Sequence, residues 1–570
     1  MNNLNFLVDV LKESPVFKTL EKNVKPGRAV CASGLSTINK SNIIYALCRL
    51  KGVTAFCLAS DEKEAQTLCN DLSCMGLRAY VYPVRDFNFL DFQSRSHEYE
   101  HARLKVLLKL INHECDVAIA CVDAAAQLTV PRNVLEQSVI EFEEGRELSL
   151  EKATKALTLL GYERFDAVEG SGQFSLRGGI LDFFMPDSDY PVRCEFWGDE
   201  ITDLSYFDIE TQRRFKKADK ITLSPSTEIV IEDRAALADK IEHKAKLLRS
   251  KNSAKAKEKL FSEAQLIRSG AMIANADKFI NQIYDKPESL FDYLDRNTLV
   301  FASEFTAIQE RGKSMDFISN ETLMQGFEDG TLCRGFDRFA LTFNECTEFL
   351  QSHGTIVLEN FVHGSMPIKL SEIISFSTKQ LSAWGGSYKQ LKEDVDGLFT
   401  PESKGVIFAG TERAAKNLCD TFNADGINAV YSEGADKISK GELLVMQGAL
   451  SAGFEYPSQK FFAITYSQVS YRPEKSKKKK KKTGQEIYSL SELAPGDYVV
   501  HNVHGIGVFG GIRKIDTHGV IKDYIKIDYA KGDVLYVPVT QLDMVAKYIG
   551  PKEDSRVKLN RLGSGDWPKA

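Results

Sequence analysis

The chain has 570 residues, of which 43% are hydrophobic, 10% aromatic and 27% charged. This is ordinary globular usage and excludes a mostly disordered, collagenous or membrane-embedded protein. Net charge is −6; seven of the lysines lie in Lys475–Lys482, so the remainder holds 66 basic against 79 acidic residues, or −13, a poor balance for a general phosphate-backbone binder.

The longest apolar runs, Gly405–Gly410 and Phe461–Tyr466, fall far short of the roughly 20 residues that cross a bilayer, so no membrane partner is expected. Asp9, Lys12 and Glu13 stand where a secretory signal needs a basic start and an apolar core, which predicts a cytoplasmic chain. The eleven cysteines are scattered without a C-x-x-C pair, as expected of reduced structural thiols rather than disulfides or a zinc module.

About four domains fit this length at roughly 150 residues each. In the first 130 residues β-rich runs at Ala29–Ala32, Val53–Ala59, Ala79–Tyr82 and Val117–Cys121 alternate with helical patterns, which predicts βαβ units and a parallel sheet. From about Leu150 a helix is followed by strand patterns, with Gly198-Asp199 as a hairpin turn, so a small α+β insert is expected. Residues 231–267 read as charged helix, and Asn297–Ala302 and Ala340–Phe343 as returning strands. A third α/β pattern fills 345–470, with strands at Val406–Ala409, Ala429–Tyr431 and Glu442–Gln447. The lysine run then predicts a solvated spacer, which can also touch DNA or an acidic surface nonspecifically. Period-2 alternation over 493–539 predicts a small β-barrel, closed by a short helix over Gln541–Tyr548.

Gly34–Ser41 fits G-x-x-x-x-G-K-[ST] except at Asn39, where a side chain obstructs the amide cradle for phosphates. The later strand Val117–Cys121 offers Asp123 alone as an acidic Mg²⁺ partner, so ATP hydrolysis is not expected. His501 and His504 fit a turn better than a metal site, with no carboxylate or cysteine beside them. Alternation places Gln173, Ser175, Arg177, Arg193, Glu195 and Trp197 on outward strand faces, which suits either an interface or a solvated surface. Val534–Pro538 ends in a proline that cannot donate to a ladder, so this strand is an edge open to β-augmentation or else plain barrel core.

Gly161-Tyr162, QFSLRGGILDFF at 173–184, EFWGDEI at 195–201, GFEYP at 453–457 and above all residues 496–550 resemble the bacterial transcription-repair coupling factors, in order and over essentially the whole chain. The resemblance implies a multidomain α/β protein. Its parts are a UvrB-like degenerate P-loop nucleotide-fold domain in two pieces, 1–130 and 223–344; an inserted UvrA-binding α+β domain, 131–222; a small α/β domain, 345–470; a Lys-rich linker, 471–489; an RNA polymerase-interacting Tudor/CarD-like β-barrel, 490–550; and the lead-in to a motor domain, 551–570. It further implies that Arg164, Arg177, Phe184 and Arg193 contact UvrA, and that Leu535, Tyr536, Val537 and Pro538 contact the RNA polymerase β subunit.

In that family ATP- and Mg²⁺-dependent translocation on double-stranded DNA belongs to motor domains beyond the barrel. This chain is therefore expected to hold no cofactor, to be no enzyme, and to carry a non-functional loop at Gly34, Asn39, Lys40 and Ser41. UvrB's DNA-inserting hairpin has little room in Tyr82–Phe92, so damage verification is not expected. The implied role is transcription-coupled nucleotide excision repair, recruiting UvrA to a stalled polymerase. Competing readings are an active UvrB-like P-loop ATPase or helicase and a CarD-type transcription regulator.

Overall fold

A computed structural model describes residues 4–85, 97–138, 140–248, 253–270, 276–362, 366–385, 387–466, 484–486, 493–501, 505–517, 520–530, 533–538 and 545–548. The lysine run, His504, most of the Tyr82–Phe92 stretch and the 551–570 lead-in lie outside the described residues.

Four strands come first: β1 (Ala29–Ser33), β2 (Ala55–Ala59), β3 (Ala79–Tyr82) and β4 (Val117–Cys121). β1, β2 and β4 are buried at every position, as a parallel sheet covered on both faces requires. The chain then leaves this sheet for eight strands, β5 (Ile140–Glu143), β6 (Glu163–Arg164), β7 (Gln173–Arg177), β8 (Ile180–Phe183), β9 (Val192–Trp197), β10 (Glu200–Phe207), β11 (Arg214–Lys217) and β12 (Lys220–Leu223). β6 to β11 form one sheet, and β5 with β12 an antiparallel ribbon at its neck. The expected hairpin is present, Gly198 and Asp199 joining β9 to β10 with Gly198 at φ 63°.

β13 (Leu299–Ser303), β14 (Thr355–Leu358) and β15 (Leu370–Ser375) return to the first sheet, giving the parallel order β15-β1-β14-β13-β2-β4-β3. This corrects the expected boundary at 344: β14 and β15 flank β1, so the first domain runs on to Ser375. Ala340–Phe343 is no strand. Thr342 caps the helix Phe343–His353 in a capping box with Glu345, and only Ala340 makes a bridge, to Gln127.

A second α/β sheet follows, with β16 (Lys379–Leu381), β17 (Lys404–Phe408), β18 (Ala429–Tyr431), β19 (Glu442–Met446), β20 (Gly453–Tyr456) and β21 (Phe461–Thr465) in the order β16-β20-β21-β17-β19-β18. The last sheet is antiparallel: β22 (Gly484–Glu486), β23 (Tyr498–His501), β24 (Gly505–Thr517), β25 (Val520–Asp528), β26 (Val534–Pro538) and β27 (Val545–Tyr548), in the order β22-β27-β23-β24-β25-β26. Two expectations fail here. Val545–Tyr548 is a strand paired with β23 and β22 rather than the end of a helix, and β22 brings residues expected in the linker into the sheet.

One apolar core joins the two α/β units. Phe6, Leu7, Val10 and Leu11 of the first helix, Asn5–Lys12, share it with Ile43, Ile44 and Leu47 of the helix Thr37–Lys51 and with Phe408, Met446, Phe454 and Phe461 of the second sheet. At this seam the Asp71 carboxylate accepts from the Ser451 amide and hydroxyl, both at 2.7 Å. Burial pushes Asp71 up to about 6 against the opposing pull of these donors.

A charged cluster fixes the neck of the insert. Glu228, on the segment returning from the insert after β12, accepts from Arg103 Nε at 2.7 Å and from Thr129 Oγ1, on the segment leading out before β5, at 2.7 Å. Arg85 lies 3.5 Å from the same carboxylate, 3.7 Å from Glu100 and 3.2 Å from Asp277, all of them buried. Two guanidinium groups thus face three carboxylates out of water, where each charge depends on the others.

Glu228→Ala leaves Arg103 and Arg85 short of a counter-charge, and a loss of about 3–5 kcal/mol is expected in urea unfolding, with a smaller loss for Glu228→Gln. A loss under about 1 kcal/mol would show that the cluster does not fix the neck. Asp71, raised in the folded state, keeps its proton longer than the unfolded chain does. Its contribution is full below about pH 4 and is lost as pH rises to about 6, so Asp71→Asn should gain about 3 kcal/mol on wild type across that window in pH-dependent denaturation.

Candidate functional site

Three places collect the residues singled out above. The first is the loop from Gly34 to Ser41 at the carboxyl end of β1, where open α/β sheets bind ligands. Here the amides of Gly34 and Leu35 donate to the carbonyls of Asn360 and Glu359, each at 3.1 Å, and Thr378 Oγ1 donates to the Gly34 carbonyl at 2.7 Å. Gly34 sits at φ 79°, and a Cβ on it would collide with the Phe376 carbonyl, so the β15 end of the chain closes over the loop. Asn39 is fully buried and accepts from Ser36 Oγ at 2.7 Å, while Ser41 Oγ donates to Asp71 at 3.3 Å.

Lys40 turns away from any phosphate position. Its ammonium donates to Glu304 at 2.6 Å, Ser303 at 2.8 Å and Glu64 at 3.3 Å, and the side chain is 2% exposed. Burial works to raise Glu64, but Lys40 and the Ser303 and Ser60 hydroxyls outweigh it and hold Glu64 below the usual carboxylate range. Glu359 goes the other way: burial, opposed by the Phe305 amide and reinforced by the neighbouring Glu304 charge, pushes it up to about 7. Asp123, the candidate Mg²⁺ partner, is bonded by Arg311 at 2.7 Å. Glu62, Cys121 and Asp123 are close enough to share a cation, and the Arg311 guanidinium, bonded to both carboxylates, supplies one.

The second place is the insert sheet. Sequence alternation put Gln173, Ser175 and Arg193 outward; the structure buries the first two and leaves the Arg193 side chain 13% exposed. The turn between β6 and β7 covers this side: Gln173 Oε1 accepts the amides of Glu169 and Gly170, and Ser175 Oγ donates to Asp166 O at 2.9 Å. Asp182, which the sequence reading missed because it lies in the apolar run ILDF, organises the arginines. Arg193 grips it with two bonds of 2.8 Å while stacking over Phe207 at 4.4 Å, and Arg177 donates to it at 2.9 Å.

Arg177 is half exposed, Trp197 is 83% exposed on the adjoining hairpin tip, Arg164 is exposed and Phe184 half-buried. The structure therefore joins Arg177 and Arg193 through Asp182 but leaves Arg164 without an ion pair among the described residues. Arg193 is chiefly a support for Arg177 and the strand face.

The third place is the outer edge of the antiparallel sheet. β26 pairs with β25 on one side, Leu535 opposite Ile527 and Tyr536 opposite Lys526, and ends the strand order on the other. Tyr536 is 43% exposed, but Val537 points into the core with Ile525 and Val545, so its expected contact comes down to main chain. Pro538 stands opposite Tyr524 at the end of the ladder. Leu535 is partly buried against the same core, which also receives Tyr99 from the helix Glu98–Ile111 of the first domain. His501 is buried in β23.

Two of these three places lie within regions that match known protein families. Residues 140–229 match the family model of the UvrB interaction domain, and residues 493–549 that of the CarD-like/TRCF RID domain. A transcription-repair-coupling factor of Bacillus subtilis (strain 168) is 29% identical over 575 residues, 98% of this chain and 48% of its own length. One from Staphylococcus haemolyticus (strain JCSC1435) is 28% identical over 86% of this chain and 42% of its own length. The chain thus spans about half the length of the curated relatives it matches. The resemblance first read from the strand motifs extends across nearly the whole sequence, and the chain is similar to the transcription-repair-coupling factors.

Proposed function

We propose that this chain is a recruitment scaffold of transcription-coupled nucleotide excision repair. The last sheet, a CarD-like barrel of Tudor type, docks on the RNA polymerase β subunit by adding a strand to the open edge of β26. The insert binds UvrA through the face that carries Arg177 and Phe184, with Arg193 and Asp182 holding Arg177 in place and Arg164 exposed on the neighbouring edge strand. The observation that carries this reading is the pairing, in one chain, of an open sheet edge in the CarD-like match with an exposed arginine and tryptophan face in the UvrB-interaction match. Arginine and tryptophan are the residues that most often dominate interface energetics.

The body then serves as a UvrB-like frame without nucleotide chemistry. The Gly34–Ser41 loop is a poor fit to ATP and Mg²⁺, because its amides, its lysine and the Asp123 carboxylate are engaged by protein groups. Motion along double-stranded DNA, with the ATP it consumes and the Mg²⁺ that assists the hydrolysis, belongs in this reading to motor domains of the full-length relatives. No helix among the described residues is long and apolar enough to cross a membrane, in keeping with a cytoplasmic role.

Arg177→Glu should weaken binding to purified UvrA by about tenfold or more and leave polymerase binding unchanged, while Tyr536→Glu with Leu535→Glu should do the reverse. Both partners still captured by a chain carrying all three changes would sink the scaffold reading, and polymerase captured by wild type without UvrA would favour the CarD-type regulator. Lys40→Ala should leave ATP turnover at background and lower stability by about 3 kcal/mol, since Glu64 and Glu304 lose their cation. Wild-type turnover abolished by that substitution would instead favour the ATPase reading.

A further inference from the structure

Outside both surfaces, the helices Arg234–Leu247 and Ser253–Arg268 pack as a hairpin on Leu237, Ile241, Ala245, Leu260 and Ala264. Its two ends differ in charge chemistry. At the base each cation has an acid: Arg268 bonds Asp239 and Glu242, both at 2.6 Å, and Lys278 bonds Glu263 at 2.5 Å. Toward the tip the acids run out, since residues 244–259 hold seven lysines and arginines against one acid, Glu258.

Lys246, Lys255 and Lys257 make no ion pair among the described residues, and Lys246 and Lys255 are exposed. The hairpin tip also adjoins the turn after the long helix Phe305–Asp329. Lys244 Nζ donates to Gly335 O at 3.2 Å, beside the exposed Arg334, and Lys255 abuts Gly330. Glu328 and Asp329, at the end of that helix, form no ion pair with these lysines.

We propose that this hairpin tip, through Lys246, Lys255 and Lys257 with Lys244 and Arg334 beside them, is a contact for the phosphate backbone of duplex DNA. Exposed and half-buried cations without an acid partner among the described residues, gathered at one end of an otherwise acidic chain, give a local field that attracts and orients a polyanion. Duplex rather than single-stranded nucleic acid follows from composition: residues 244–259 contain no aromatic side chain on which a free base could stack. The contact carries no sequence preference, because nothing in it reads base edges. It stands apart from the recruitment reading, as it uses neither Arg177 nor β26.

The test is fluorescence anisotropy of the full chain with a fluorescein-labelled duplex of arbitrary sequence, titrated between 50 and 200 mM salt, a range over which phosphate contacts weaken steeply. Lys246→Glu, Lys255→Glu and Lys257→Glu together should weaken binding by about tenfold or more and flatten the salt slope by about 0.9 for each phosphate left without its lysine. The same three positions changed to Gln should give a smaller loss in the same direction, with the circular dichroism of wild type. Unchanged affinity and slope in both variants would overturn the proposal. So would loss confined to a variant with the lysines of 477–482 replaced by serine, loss confined to a single-stranded probe, or loss of polymerase binding with duplex binding intact.

Discussion

The architecture hangs on one buried carboxylate. Glu228 sits where the chain comes back from the insert, and it is bonded both to Thr129, on the segment that leaves the body, and to Arg103, on the helix beneath. Both crossings between body and insert are thereby tied at one point, so the insert sheet has a fixed stance. Removing two charges from water is costly, and such a cluster persists only when each member is met by others, as Arg85, Glu100 and Asp277 meet these. The arginine and tryptophan face of the insert is aimed by this knot some distance from its own residues.

A similar economy governs the loop at Gly34. In a nucleotide-binding sheet the first helix has an open end, and its amides and lysine point into solvent. Here the second α/β unit packs against that helix, burying it from Ile38 to Cys48. Once covered, its polar groups must find partners inside the protein, and Glu64, Ser303, Glu304, Asn360 and Glu359 provide them. These partner groups all belong to the first domain, while the second domain covers the apolar side of the helix behind the loop.

Much of the fold was legible in the sequence because its strands are short, almost wholly apolar runs such as AVCAS, AFCLA and VAIAC, which suit a sheet covered on both faces. The domain break near 344 was misplaced because β14 and β15 continue the same α/β rhythm as the unit after them, and only pairing with β1 assigns them. Val545–Tyr548 was misread as helix because a strand of four residues is too short to show its alternation, and only pairing with β22 and β23 assigns it. At the surfaces, exposed Arg177 and Trp197 followed from alternation, whereas Asp182 did not, being an acid within an apolar strand. The partners of Lys40 were out of reach altogether: Glu304 lies 264 residues away, and nothing local marks it.

The closure over Gly34 puts this loop beyond opening by any change at position 39 alone. Returning glycine at position 39 would restore the letters of the motif and none of its chemistry, since the Gly34 and Leu35 amides would still belong to Asn360 and Glu359. Reversal would need coordinated changes in β14, β15 and the second domain, each destabilising on its own. The stability of the closed loop therefore rests on contacts spread over hundreds of residues of chain, and no single substitution frees its amides for another acceptor.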